Sequence, residues 1–137
     1  MKKYINISII YAVLAMVGGV FFREFTKYNS FEGTTALGKV HVHLFLLGMV
    51  VYLLVALFNK NKELESLKTF KAFNIVYNVG VPLTATMMLV RGIIQVLNVG
   101  LSSGASGAIS GIAGIGHILT GVGIVLLLIS LRKSVKD

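Results

Sequence analysis

The chain has no cysteine, a single proline and only five acidic residues among 137. Without cysteine there are no disulfides, thiolate metal sites, iron–sulfur clusters, covalently attached c-type haem or lipoprotein anchor. With one proline, long helical runs stay mostly unbroken. The acidic residues Glu24, Glu32, Glu63, Glu65 and Asp137 all fall outside the apolar runs. That removes intramembrane carboxylate pairs and an Asp/Glu proton relay. There is also no Gly-rich phosphate loop and no Ser/His/Asp set. Charged residues make up 13% of the chain, against about 25% in a typical soluble domain.

What is present is apolar. The chain is 55% hydrophobic with a mean hydropathy of +0.85, too apolar for a soluble domain of this length. A bilayer core about 30 Å thick needs about 20 residues of apolar helix to cross it. Four runs qualify: residues 4–22, 37–58, 71–98 and 108–131. The expected fold is all-α, a single-domain four-helix bundle in the membrane. The net charge of +8 does not read as a nucleic-acid face, because the basic residues sit between apolar runs. There they set topology and meet anionic lipid headgroups.

Nine lysines and arginines fall on one side: Lys2, Lys3, Lys60, Lys62, Lys68, Lys71, Arg132, Lys133 and Lys136. Arg23, Lys27 and Lys39 fall on the other, and the third loop has none. The positive-inside rule puts both termini in the cytoplasm of a multi-pass cell-membrane protein. A cleaved signal peptide is the rival reading of the first run. That run is long and no small-x-small site with a polar flank follows it, so it is read as a retained span. Residues 59–70 read as a solvated linker, and residues 100–107 as a glycine-rich external turn.

All three histidines lie within spans, where ionisable side chains are costly and usually functional. At 1.5 Å per residue, His41 and His43 lie about 6–9 Å below the outer end of their span and His117 about 13 Å below its own. His41 and His43 point about 200° apart, so they face different neighbours rather than one small ion. His41 shares a face with Gly38 and Gly48, and His43 with Leu46, Leu47 and Val50. His117 sits on a stripe formed by Gly104, Gly107, Gly111, Gly114 and Gly121. Such a stripe serves either close helix packing or clearance for a flat ligand such as haem, whose iron takes axial histidine without any cysteine.

Arg91 lies about 10 Å inside the third span. It either snorkels to the headgroups or pairs with a buried anion such as a haem propionate, with Lys39 near the same surface. Glu24 and Glu32 are its protein candidates as counter-ion. Pro82 removes a backbone donor and is expected to kink the third helix near Asn78. Asn74, Asn78, Thr84, Thr86 and Gln95 are expected to bond across the bundle.

The run HVHLFLLG at 41–48 resembles the H-x-H-x-x-L-x-G helix of the NnrS-type haem- and copper-associated membrane proteins. It is also similar to histidine helices of haem–copper oxidase subunit I. The whole chain resembles a small bacterial family of four-span proteins known only as a domain of unknown function. The oxidase resemblance implies His41 and His43 as haem ligands serving opposite faces of one helix, and assigns no counterpart to His117. Because those subunits contain three pseudo-symmetric groups of four helices, it also implies a homotrimer. The full set of copper-site histidines is missing, so oxygen or nitric oxide reduction is not implied.

The reading that results is a b-type haem-binding membrane protein acting in electron transfer, haem handling or gas sensing. His41, His43 and His117 are the candidate ligands, and Gly48, Gly114 and Gly121 clear space for the ring. Arg91 is the propionate anchor. Two alternatives stand beside it. One is a small copper or zinc transporter or binding protein using the same histidines. The other is a structural accessory subunit without cofactor.

Overall fold

The computed structural model describes residues 1–59 and 63–135. Lys60, Lys62 and Lys136, used above for orientation, lie outside the described residues. Helix α1 is Lys2–Tyr28, α2 is Leu37–Phe58, α3 is Glu63–Ser66, α4 is Lys68–Val96 and α5 is Ser103–Ser134. Helices α1, α2, α4 and α5 are each long and apolar enough to cross a membrane, as lipid demands of a chain whose backbone groups must all be bonded internally.

Packing follows chain order: α1 lies on α2, α2 on α4, and α4 most extensively on α5. Helices α2 and α4 are accordingly the more buried pair, and α1 and α5 the outer ones. A chain of buried aromatic rings ties α1, α2 and α4 together. Tyr11 stacks on Tyr52 at 5.8 Å, Tyr52 meets Tyr77 at 6.0 Å, and Tyr4 meets Phe70 edge-on at 5.8 Å.

The α4–α5 seam is built from small residues and hydroxyls. Helix α5 buries Gly116, Thr120, Gly123, Leu127 and Ser130, a 4-3-4-3 spacing that keeps one face on the partner helix. A Cβ on Gly80 would stand 2.6 Å from the Thr120 backbone nitrogen, and one on Gly116 would stand 2.9 Å from that of Thr84. The hydroxyls of Thr84 and Thr120 lie 3.4 Å apart, and Ser130 donates to Thr69 at 2.8 Å. The stripe singled out in the sequence lies elsewhere. A Cβ on Gly104, Gly107, Gly111, Gly114 or Gly121 would meet nothing within 4 Å. Gly114 and Gly116 are two residues apart, so they point to roughly opposite sides of α5.

Helix α2 is not α-helical throughout. Leu44–Val50 forms a π-helical segment. Its carbonyls are met from both sides: Ser8 of α1 donates to Met49 O at 2.8 Å, and Tyr77 of α4 donates to Leu47 O at 2.8 Å. Between them Gly48 is covered by the Tyr11 ring, and any Cβ there would collide with it. The wide turn is therefore held by hydroxyls from both neighbours, in a region where water is not available to satisfy the backbone.

Two loop readings are corrected. Residues 100–107 are not a turn throughout, because α5 already begins at Ser103, where the Ser102 hydroxyl accepts from the Ala105 N–H at 3.2 Å. This cap satisfies one of the helix's free amides. Residues 59–70 are not simply a solvated linker. Leu64 of α3 is fully buried, and Asn59 donates to Glu65 at 2.9 Å. Helix α4 runs uninterrupted through Pro82.

If the α4–α5 seam is the main packing contact, Gly80→Val must force the two backbones apart. It should lower stability by about 1–3 kcal/mol, read as earlier loss of helical circular dichroism on heating in detergent. Ile75→Val, an exposed position on α4 away from that seam, should leave the transition nearly unchanged.

Candidate functional site

The three histidines divide into one and two. His41 turns toward α1, where a Cβ on Gly19 would stand 3.7 Å from its side chain and where Phe22 stacks at 6.4 Å with a 16° interplanar angle. The Gly18-Gly19 pair leaves the room that this ring occupies. Its Nδ1 is buried with no partner among the described residues. Gly48, on the same face, is filled by Tyr11.

His43 turns the other way and meets His117 of α5. The two ring centroids are 6.4 Å apart at an interplanar angle of 79°. His43 Nδ1 lies 2.9 Å from the Lys39 carbonyl, and His117 Nδ1 lies 2.8 Å from the Ala113 carbonyl. A carbonyl oxygen only accepts, so each Nδ1 carries the proton. In the neutral ring each Nε2 is then a bare lone pair, the arrangement by which a backbone contact fixes a histidine for metal ligation. Among the described residues, no third histidine, aspartate or glutamate joins the pair.

Arg91 stands at the same end of the molecule. It donates to Ser106 Oγ at 3.3 Å, Ser106 O at 3.1 Å and Ser110 Oγ at 2.6 Å. These contacts tie α4 to the first turns of α5. Glu24 does not reach it but pairs with Arg23 at 3.8 Å, and Glu32 forms no ion pair with it. A cavity of about 320 Å³ joins Arg91 to His117, with Met87, Met88, Ser110 and Gly114 in its wall. Lys39 is exposed and does not line this cavity.

Of the polar residues expected to bond across the bundle, Gln95 does so and Thr84 faces Thr120, whereas Asn74 and Asn78 donate within α4, to Phe70 O at 3.1 Å and Asn74 O at 2.6 Å. Thr35 and Gly92 escaped the sequence reading. Gln95 Oε1 accepts from the Ala36 N–H at 2.8 Å, and Thr35 donates to Gly92 O at 3.0 Å. Together with Gly92, whose Cβ would stand 2.5 Å from the Leu37 nitrogen, they lock the start of α2 onto α4 and so set the height of His43. The available signal was small and polar residues at helical spacing on the third run. The buried glycine face of α5 was likewise legible as small residues at 116, 120 and 123, but the longer stripe on the other side of the helix drew the eye.

No curated protein and no solved structure matches the chain. A family model described as "Protein of unknown function (DUF2871)" matches residues 1–134, and the chain belongs to that family.

Proposed function

We propose that this membrane protein binds b-type haem, which His43 and His117 would hold, and acts in electron transfer, haem handling or gas sensing. The observation that carries the reading is the histidine pair, with both Nδ1 atoms held by backbone carbonyls and neither Nε2 bonded among the described residues. Haem needs only two protein nitrogens, because the macrocycle supplies the rest. A structural zinc site takes four protein ligands and a catalytic one three. A two-histidine set therefore suits haem better than a bare ion. When bound, the iron would supply one-electron or gas-binding chemistry. Gly114 and Gly121, open on either side of His117 along α5, leave clearance for a flat ring. Arg91 has five N–H donors, and its three contacts to serines leave capacity for a propionate.

The resemblance to NnrS-type proteins and haem–copper oxidases supports the same chemistry through the H-x-H pair, with His43 now favoured over His41. It also supports a homo-oligomer, a trimer by analogy, for which the open glycine face of α5 is suited. A second reading, a copper site, is favoured by one observation: Met87 and Met88 share the cavity of His117, and thioethers suit Cu(I).

The test is the absorbance spectrum of the protein purified in detergent after haem supplementation. A Soret band is expected, lost or shifted in His43→Ala and His117→Ala and retained in His41→Ala. Wild-type protein without the band would sink the haem reading, and stoichiometric copper in its place would select the second.

The proposed orientation, with both termini in the cytoplasm, is separately testable because the chain has no cysteine. In intact cells, Ser103→Cys should react with a membrane-impermeant maleimide, and Ser134→Cys should react only after permeabilisation. The opposite pattern would reverse the topology.

A further inference from the structure

At the end of the molecule that holds both termini, a cavity of about 360 Å³ opens between the first turns of α1 and α4. Lys3 and Lys71 stand in its wall, together with buried Tyr4 and exposed Ile75. Glu65 of α3 is the acidic residue there, and its Oε1 accepts from Asn59 at 2.9 Å. Among the described residues neither lysine forms an ion pair with it, and the Lys3 ammonium lies over the Tyr4 ring, 5.6 Å from the centroid. The wall therefore carries a net positive charge. The backbone adds to it. Both helices begin at this end with no acidic residue in the first turn and no side-chain cap. The positive ends of their dipoles are left uncompensated.

Each lysine also heads an apolar stripe. Lys3 is followed by Ile7, Ile10 and Leu14, and Lys71 by Ile75, Asn78 and Pro82. Both series keep the 4-3-4 spacing that holds one helix face. Beyond the lysines, these faces line a mostly apolar groove of about 490 Å³ between α1 and α4. At 1.5 Å per residue, Leu14 lies about 16 Å along the helix from Lys3. The lysines themselves lie within about 5 Å of the helix starts, where a span meets the headgroup region. A cationic mouth at that depth, leading into an apolar channel along the spans, fits a ligand with an anionic head and a long tail. A water-soluble anion would leave the channel unfilled, and a wholly apolar molecule would leave the lysines unmatched.

We propose that this mouth and groove hold one anionic phospholipid of the leaflet at the termini end. Its phosphate sits between Lys3 and Lys71, and one acyl chain runs between α1 and α4. The site lies at the opposite end of the molecule from the histidine pair and does not rest on the haem reading.

The test mixes detergent-purified protein with phosphatidylglycerol and phosphatidylcholine of identical chains and counts bound lipid by native mass spectrometry. Wild type should retain one phosphatidylglycerol in preference to phosphatidylcholine, and excess inorganic phosphate should not displace it. Lys3→Gln and Lys71→Gln should each weaken its binding about fivefold, and the double variant about 30-fold. Lys133→Gln removes an exposed charge at the same end but outside the mouth, and should bind like wild type. Unchanged affinity in the double variant would overturn the proposal. So would an equal loss in Lys133→Gln, which would mark attraction to overall charge alone. Equal retention of phosphatidylcholine, or displacement by inorganic phosphate, would overturn it as well, the latter by assigning the mouth to a free anion.

Discussion

In a bilayer, apolar side chains gain little by leaving lipid, so helices associate through close backbone approach and interhelical hydrogen bonds. Helix α4 supplies both for its two neighbours. Gly92 admits the start of α2, with Gln95 and Thr35 bonding across the contact. Gly80 admits α5, with Thr84 facing Thr120. These two docking points fix height and rotation together. His117 is the residue after Gly116, so the contact that buries Gly116 also aims His117 along the flank of α4, toward α2. The height of α2 then decides that the ring it meets belongs to His43.

The π-helical segment of α2 is the second constraint, and it depends on the first. Its carbonyls are held by Ser8 and Tyr77, and Tyr77 is placed by Gly123 of α5, whose absent Cβ would stand 2.6 Å from the tyrosine ring. The wide turn falls directly below His43 and directly above Tyr52. It therefore sets the rotation of the histidine end relative to the aromatic end. The molecule thus keeps two polar regions apart in its apolar interior. One comprises histidines and Arg91 at the end away from the termini; the other comprises phenols and Asn78 in the half nearer the termini.

Much of this was legible in the sequence. Four uninterrupted apolar runs allow few alternatives once backbone groups must be bonded internally. The 200° between His41 and His43 already required that they face different neighbours, and the structure sends them to α1 and to α5. Helix ends were less legible, because caps such as Ser102 extend a helix through glycines that otherwise read as a turn. The glycines were misleading for a related reason. Two faces of α5 carry small residues at heptad spacing, and spacing alone cannot say which one meets another helix.

By itself, the sequence determined the four spans, the absence of thiol and carboxylate chemistry from them, and the presence of three histidines and one arginine where lipid makes such residues costly. These follow from composition and run length, which no packing arrangement alters. Only the tertiary structure decided that His43 rather than His41 faces His117, that the Nδ1 of each meets a backbone carbonyl, and that Arg91 is held by serines rather than by Glu24 or Glu32. Those outcomes depend on the rotation of one helix against another. That rotation is set by glycine contacts across helices and by a π-helical turn, neither of which the hydrophobic pattern of a single segment encodes.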